Sequence, residues 1–251
     1  MSSLEEQFAQ VLPSLIPRIP TKLLSERLLT TKNIARRSAP GYELNHQDLS
    51  SMICLWLLAA WFKPEVIFEA GTSHSLSLST WIYYGAAEVH SIDITLQPWC
   101  AIQALSHLPT PDLTLHECCV TTIDFERIIR GRRALVFYDL HDVEERSLFE
   151  EVAIPRIFPA LRRNAHLFAM HDVVETDAQF VPTHPLQTGP IQSFDGRWWY
   201  GQKEVHPFMR WVNQTRTDIF RPCHCLQQLG HTFVKTTSIV YCSLPLEHVP
   251  A

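Results

Sequence analysis

The feature that most constrains the fold of this chain is an alternation of short apolar runs with helical segments between residues 65 and 170. Runs rich in β-branched and aromatic residues recur at intervals of roughly 20 to 35 residues, which is typical of strands separated by crossover helices. The predicted strands are Glu65–Glu69, Glu88–Ile94, Leu113–Glu117, Ala134–Tyr138 and His166–Met170. This alternation predicts a doubly wound α/β sheet with helices on both faces.

The remainder of the chain divides around this alternation. Residues 1–48 are helical in pattern and are interrupted by prolines, so we expect an N-terminal helical extension. Residues 49–251 then form the α/β domain, and strands near Asp218–Arg221 and Ser238–Ser243 would complete its sheet. Helices are predicted at Ala101–Leu108, Asp124–Arg130 and Glu144–Phe158, with Gly131 as the C′ residue of the second.

The stretch Val181–Glu204 breaks the regular pattern, because it is rich in Pro and Gly. It also carries Trp198, Trp199 and Tyr200, and a loop of this length in a compact domain is usually functional. We interpret residues 181–204 either as a lid whose aromatic rings close over a substrate or as a loop anchored on the core.

Composition and charge exclude several classes of partner. Lys and Arg number 21 against 26 Asp and Glu, so the chain has no net positive field to attract a nucleic acid. The longest apolar run, Met52–Phe62, is too short to span a bilayer, and the N-terminus lacks the charge pattern of a signal peptide. The 7 cysteines show no disulfide spacing. We therefore expect a cytoplasmic protein without a nucleic-acid or membrane partner.

Acidic side chains lie at the ends of four of the predicted strands or just beyond them, namely Glu69, Asp93, Asp139 and Asp172. Because ligands of open α/β sheets bind outside the carboxyl ends of the strands, these residues predict a functional edge. Gly71 would let the backbone turn tightly and approach a ligand. Asp93 can accept the hydroxyls of a ribose or cap a helix, and Asp139 and Asp172 can share a divalent cation or act as caps or arginine-paired acids.

The order of these residues resembles the class I S-adenosylmethionine-dependent methyltransferases, and most closely the cephalosporin-hydroxylase and macrolide-sugar O-methyltransferase group. FEAGTSHSLSLS at Phe68–Ser79 is similar to the E-x-G-x-x-x-G-G-S turn of that group, although Ser75 and Leu76 stand in place of its paired glycines. YDLHDVEE at Tyr138–Glu145 is similar to its D-x-D-H-x-Y-E, and LFAMHDV at Leu167–Val173 to its strand followed by an acid pair. The resemblance implies a Rossmann-like methyltransferase fold.

The resemblance also implies a binding site for S-adenosylmethionine. The methionine end of the cofactor would contact Glu69, Gly71 and Ser73. Its ribose would be held by Asp93, and its adenine would contact Cys118 and Cys119.

A metal site and a catalytic pair follow from the same resemblance. The metal, which the resemblance implies to be magnesium, would be held by Asp139, His171 and Asp172. Because His171 stands where the group has an acid, nitrogen ligands are also expected, and manganese, iron or zinc could instead be held by Asp139, His141, His171 and Asp172. His141, with Asp142 beside it, would take the proton of the attacking hydroxyl, since an imidazole titrates near neutral pH.

The expected function is a metal-assisted O-methyltransferase that acts on a small molecule in specialised metabolism. Two alternatives stay open: a metalloenzyme of the same fold that has abandoned S-adenosylmethionine for hydrolase, lyase or oxygenase chemistry, and a non-catalytic binding protein. A homodimer is compatible with the sequence. The basic run Glu126–Arg133 is interpreted as helix-end cations that offset the dipole, with an anion site as the alternative.

Overall fold

The structure is a computed structural model that describes residues 4–38, 47–72, 76–85, 87–96, 112–140, 148–161, 166–171, 174–176, 192–194, 197–200, 221–222 and 240–244. Its α-helices are α1 (Leu4–Leu15), α2 (Thr21–Ser38), α3 (Gln47–Phe62), α4 (Leu76–Tyr84), α5 (Phe125–Ile129) and α6 (Phe158–Leu161). Short 3₁₀ turns follow at Ile16–Arg18 and Val120–Thr122, and a π-helical segment spans Phe149–Ile157. None of the described helices is both long and apolar enough to cross a lipid bilayer.

The principal sheet has 7 strands in the order β3-β2-β1-β4-β5-β10-β9. The strands are β1 (Val66–Ala70), β2 (Glu88–Asp93), β3 (Leu113–Glu117), β4 (Ala134–Tyr138), β5 (His166–Met170), β9 (Arg221–Pro222) and β10 (Val240–Leu244). β1 to β5 run parallel, whereas β10 runs antiparallel to both of its neighbours. The doubly wound, Rossmann-like α/β fold predicted from the sequence is confirmed, and so are the two late strands.

Two apolar clusters cover the two faces of this sheet. On one face, the odd-numbered side chains of the strands, such as Ile67 and Leu135, pack with residues of α1 to α4. On the other face, even-numbered side chains such as Phe68 and Val136 pack with α5, the π-helical segment and α6. Burial on both faces explains why β1, β4 and β5 are apolar along their whole length.

The N-terminal helices belong to the first of these clusters. Leu12 of α1 and Leu24 of α2 are buried in the same core as β1 and α3. The side chain of Arg27 on α2 also donates from Nε to Oγ of Ser79 on α4, at 2.9 Å. The described part of the extension therefore packs directly on the helix that follows β1.

A second, smaller sheet forms in the region predicted as an irregular loop. Its 3 strands are β7 (Gln192–Phe194), β8 (Arg197–Tyr200) and β6 (Val174–Thr176), in the antiparallel order β6-β8-β7. The expectation of an irregular loop was therefore wrong for residues 192–194 and 197–200, because aromatic residues favour strand pairing over loop conformations. The lid function of this region stays a prediction.

Two predicted helices differ in detail from the structure. α5 is one residue shorter at each end than predicted: it begins after Asp124, whose Oδ1 accepts a 3.0 Å bond from N of Arg127, and its C-cap is Arg130 (φ 46). Gly131 (φ 72) is therefore the C′ residue, as predicted. The segment Phe149–Ile157 is π-helical and contains Pro155, which has no N–H for a regular α-helical bond. The predicted helix Ala101–Leu108 lies outside the described residues.

Candidate functional site

Seven of the residues assigned to the site from the sequence lie in the described part of the chain, namely Glu69, Gly71, Asp93, Cys118, Cys119, Asp139 and His171. The other assigned residues lie outside it, namely Ser73, His141, Asp142 and Asp172. The geometry of the site is therefore given by the seven described residues.

The cofactor residues predicted on β1, β2 and β3 are adjacent at the carboxyl edge of the sheet. N of Cys118, just past β3, donates to O of Asp93 at 3.0 Å. N of Gly71, just past β1, donates to O of Ile92 at 2.9 Å. Residues after β3, β2 and β1 thus follow one another along the edge in the order in which the resemblance assigns adenine, ribose and methionine.

The same edge continues onto β4 and β5. N of Asp139 donates to O of Ala70 at 2.8 Å, and N of His171 donates to O of Tyr138 at 3.0 Å. Backbone bonds therefore hold Asp139 beside the end of β1 and His171 beside the end of β4. The described residues predicted to bind the cofactor and those predicted to hold a metal therefore form one continuous row.

Gly71 is required by the approach of the chain to itself. Its φ is +100°, and a Cβ at this position would lie 2.2 Å from O of Asp139. No L side chain fits in that space, so the glycine allows the turn after β1 to contact the end of β4. The predicted contact of Gly71 with a ligand stays a prediction.

Glu69 is a completely buried carboxylate at the end of β1. Nε1 of Trp81 donates to its Oε1 at 3.0 Å, and Oγ of Ser91 donates to its Oε2. Burial raises the pKa of Glu69 from 4.5 to about 7, against the lowering effect of hydrogen bonds from Ser77, Ser91 and Trp81, and the nearby Asp139 carboxylate adds to the rise. At neutral pH this group therefore exists in both its neutral and its ionised form.

Sequence reasoning missed the residues that hold Glu69 in place. Ser91 is its direct partner in the β1–β2 register, and Oγ of Ser91 lies 2.7 Å from Oγ1 of Thr72. An acid inside an apolar strand implies buried donors, and the serine at the matching position of the next strand is the signal that could have identified one. Both oxygens of Glu69 are bonded by the protein, so any contact with a cofactor would be additional to these bonds.

Asp93 and the cysteine pair occupy the β2 and β3 end of the edge. Oδ1 of Asp93 accepts a long 3.4 Å bond from N of Thr95, and residues 94–96 are not helical, so Asp93 does not cap a helix there. Sγ of Cys119 accepts a 3.0 Å bond from Oγ1 of Thr121. Asp93, Cys118 and Cys119 are all half-buried, which leaves part of each surface accessible.

Asp139 and His171 form a hydrogen-bonded pair at the β4 and β5 end. Nδ1 of His171 lies 3.1 Å from Oδ1 of Asp139, and the side chains are 25% and 20% exposed. Donation from Nδ1–H to the carboxylate fixes the tautomer whose lone pair is on Nε2. Asp139 is therefore paired with a histidine rather than with an arginine, and the pair has the arrangement of an oriented base.

The metal site predicted at this end is incomplete within the described residues. No group of three or more His, Cys, Asp or Glu that could hold a metal ion occurs among them. Asp139 and His171 supply two donors, and Nδ1 of His171 is directed at the carboxylate itself. The metal assignment stays a prediction, because Asp172 lies outside the described residues.

The sequence matches no protein-family model and no curated protein. The fold is similar to that of several solved methyltransferase structures, at sequence identities of 11–12%.

One similar structure is the Burkholderia thailandensis 1,6-didemethyltoxoflavin-N1-methyltransferase with bound 1,6-didemethyltoxoflavin and S-adenosylhomocysteine, with a TM-score of 0.43, 12% identity, and coverage of 88% of this chain and 85% of that chain. A putative S-adenosylmethionine-dependent methyltransferase from Listeria monocytogenes has a TM-score of 0.37, 12% identity, and coverage of 76% and 96%. The glycopeptide N-methyltransferase MtfA, complexed with sinefungin, has a TM-score of 0.38, 11% identity, and coverage of 80% and 87%. Matches at this level leave the reaction and the substrate to be argued from the site.

Proposed function

We propose that the chain binds S-adenosylmethionine along the carboxyl edge of its sheet and transfers the methyl group to a hydroxyl of a small molecule. The observation that carries this proposal is the continuous row of Cys118, Asp93, Gly71, Asp139 and His171 across the ends of five neighbouring strands. The resemblance places the substrate in specialised metabolism, and the assignment to the cephalosporin-hydroxylase and macrolide-sugar group remains part of the proposal.

The topology of the sheet supports a nucleotide-like ligand at this edge. The order β3-β2-β1-β4-β5 reverses direction between β1 and β4, and ligands of open α/β sheets bind in the crevice at such a switch point. An antiparallel strand, β10, lies between β5 and β9, which is the arrangement expected of the class I methyltransferase fold that the sequence resembles.

The charges at the edge suit the proposed cofactor. Glu69, Asp93 and Asp139 are carboxylates at the ends of adjacent strands, and S-adenosylmethionine carries a cationic sulfonium and an ammonium group. A half-buried carboxylate such as Asp93 can accept two ribose hydroxyls. When bound, the cofactor would supply an electrophilic methyl group, whereas the residues of this chain would orient it and handle the proton of the substrate.

His171 is the described residue best placed to take that proton. Its bond to Asp139 directs the lone pair of Nε2 away from the carboxylate, and the negative charge of Asp139 stabilises the imidazolium that forms. The substrate hydroxyl would lose its proton to Nε2 as its oxygen attacks. His141 and Asp142 follow soon after Asp139 in the chain and remain the other predicted catalytic pair.

The metal-assisted version of the reaction predicts a different experimental result. If Asp139, His171 and Asp172 hold magnesium, manganese, iron or zinc, a chelator should abolish activity and lower the melting temperature. If His171 acts as a base held by Asp139, a chelator should change neither. Measuring both quantities with and without EDTA separates the two versions.

The cofactor assignment is tested by calorimetric titration with S-adenosylhomocysteine. Asp93→Ala should weaken binding at least about tenfold, since a hydrogen bond to a charged group contributes roughly 1.5–3 kcal/mol. Asp112→Ala is the matched control, because Asp112 is an exposed acid just before β3, at the opposite edge of the sheet. The absence of binding by the parent protein, or equal losses in the two variants, would contradict the assignment.

A further inference from the structure

A cavity of about 590 Å³ lies beside β2 and β3, on the face of the sheet opposite to Glu69. It is lined by the even-numbered side chains Glu88, His90 and His116 and by residues 122–132 around α5. The row at the carboxyl edge that supports the proposed function contributes none of its lining residues. The cavity therefore needs an explanation of its own.

A chain of four side chains forms one wall of this cavity. Nε2 of His116 lies 2.9 Å from Nδ1 of His90, and Nε2 of His90 lies 2.6 Å from Oε1 of Glu88. Glu88 also forms an ion pair with Arg132, which holds the pKa of this carboxyl down at about 2. Glu88 is therefore ionised at neutral pH, and Nε2 of His90 must carry the hydrogen that it donates.

These bonds fix what a proton does to the histidine pair. When the pair is uncharged, Nε2–H of His116 donates to Nδ1 of His90, and Nδ1 of His116 bears a lone pair. One added proton gives Nδ1 of His116 an N–H, whichever ring holds the charge, because the two rings share a single hydrogen between them. A second proton would set two N–H groups against each other. The pair thus accepts one proton, and this proton turns Nδ1 of His116 from an acceptor into a donor.

The charged groups of the other wall favour a negative ligand. Arg132 is already engaged by Glu88 and by O of Ile128. Arg127 and Arg130 line the cavity, are exposed and form no ion pair with any described residue. The remaining acid, Asp124, is bonded to N of Arg127. Two arginines and one acid, with the paired Glu88 and Arg132 cancelling, leave a surplus of positive charge.

We propose that this cavity binds one tetrahedral oxyanion, sulfate or phosphate, between Arg127, Arg130 and Nδ1 of His116, and that binding takes up one proton on the His90–His116 pair. The anion is either a free ion or the phosphate group of a larger molecule. Arginine is suited to either, since its planar donors match oxyanion geometry.

The proton balance follows from the groups that face the pair. Burial and the neighbouring His90 lower the pKa of His116, so the ring of His116 is mainly uncharged at pH 8 in the absence of an anion. Glu88 faces His90 from β2, while Asp124, Arg127 and Arg130 line the cavity from α5 and the two residues that cap it. The pKa of Arg132 is raised chiefly by Glu88 and further by Glu65 and Asp112. An oxyanion in the cavity offsets the cost of the added charge, so its affinity should rise as the pH falls.

The experiment is a calorimetric titration of the full chain with sodium sulfate at constant ionic strength, at pH 6, 7 and 8. Sulfate is used first because it does not titrate in this range. Its affinity should increase from pH 8 to pH 6, by up to about tenfold per pH unit, the limit for uptake of one proton. Titrations at pH 7 in two buffers of different ionisation enthalpy should show a net uptake of protons on binding, of at most one per site.

Variants then separate the parts of the site. Arg127→Gln combined with Arg130→Gln should weaken sulfate at least tenfold at each pH, whereas Lys22→Gln, which removes a charge from an exposed position of α2, should not. Replacing both rings, His90→Gln with His116→Gln, should abolish the proton uptake and the pH dependence, because either ring alone can still hold the proton. Melting curves verify that each variant is folded, and the exposed arginine positions make that the expected result.

Two results would overturn the proposal: no sulfate binding by the parent at pH 6, or equal affinities in the arginine double variant and the Lys22→Gln control. A parallel titration with methyl phosphate and inorganic phosphate distinguishes the sources. Equal affinities indicate the phosphate group of a larger molecule, and binding of inorganic phosphate alone indicates a free ion.

Discussion

Replacing Glu69 by Gln should make the protein more stable at pH 8 and almost unchanged at pH 5. Glu69 is completely buried, and its Oε1 and Oε2 accept hydrogen bonds from Trp81 and Ser91. A glutamine can retain the contacts with Trp81 and Ser91, since its oxygen accepts from Trp81 and its NH₂ donates to Oγ of Ser91. The hydroxyl of Ser77, the third donor to this carboxyl, can rotate to accept a hydrogen bond instead. Ser91 can then direct its own hydrogen to Thr72, 2.7 Å away. The substitution therefore mimics the protonated carboxyl with little change in shape.

The magnitude follows from the pKa of this carboxyl, which burial raises from 4.5 to about 7. Below pH 4.5 the group is protonated in both the folded and the unfolded state, and it does not affect stability. As the pH rises, the unfolded chain releases its proton first, so the native state loses stability until the pH exceeds about 7. A tenfold change in proton affinity is worth about 1.4 kcal/mol, so the loss between pH 5 and pH 8 is roughly 2–3 kcal/mol.

Urea unfolding of the parent and of Glu69→Gln at pH 5, 6, 7 and 8 measures this effect. The difference in unfolding free energy should grow by roughly 2–3 kcal/mol in favour of the variant across this range. Glu126→Gln, at an exposed position of α5, is the control and should follow the parent at every pH. A difference between Glu69→Gln and the parent that stays constant from pH 5 to pH 8 would refute the reasoning.

Three further predictions concern other positions. Gly71→Ala should cost roughly 2–5 kcal/mol of unfolding free energy in urea, because its Cβ would lie 2.2 Å from a backbone oxygen. The control Gly85→Ala (φ +70) places a Cβ no nearer than 3.6 Å to any atom and should cost only about 1–2 kcal/mol. Similar losses in the two variants would disprove the packing argument. His166 is buried, its Nδ1 accepts a hydrogen bond from a backbone N–H, and burial lowers its pKa to about 4. The parent should therefore lose stability as the pH falls from 6.5 towards 4, because the unfolded chain binds a proton there that the native state does not. His166→Asn should flatten this slope in urea titrations, and an unchanged slope would count against the role of His166. His171→Gln should lower kcat for methyl transfer to a hydroxyl substrate by roughly 100-fold or more with S-adenosylhomocysteine affinity unchanged in calorimetry, and a normal kcat would exclude His171 as the base.

The central strands of the sheet were predictable because burial on both faces selects a continuous apolar run, and Ala134–Tyr138 and His166–Met170 were predicted with the bounds that the structure has. The edge strand Leu113–Glu117 was also predicted with its observed bounds, from the alternation of Leu113 and Leu115 with polar residues. The antiparallel pairing of β8 was not predicted, because Arg197–Tyr200 lies among prolines and glycines that locally indicate a loop. Pairing of β8 with the preceding strand β7 and with the more distant β6 decided the structure there.

The site was predictable to the level of the strand ends, but not to the level of its contacts. Acids after successive strands indicated one edge, and the backbone bonds of Asp93, Gly71 and Asp139 confirm that these residues adjoin it. The pairing of Asp139 with His171 could not be read from the sequence, since it depends on side-chain directions at two strand ends. The close approach of the Asp139 carbonyl to Gly71 could not be read from the sequence either, since it joins the ends of two strands that are distant in the chain.

The contact between Arg27 and Ser79 has a consequence for the stability of the N-terminal helices. α2 packs on α4, and α4 directly follows the turn that the proposed cofactor would contact. Undocking of α2 would expose buried surface of α4 and loosen that turn, so the docked form is the one expected to bind ligand best. By linkage, occupation of the site should then protect the amides of α2 against hydrogen exchange, even though none of the residues assigned to the site lies on this helix.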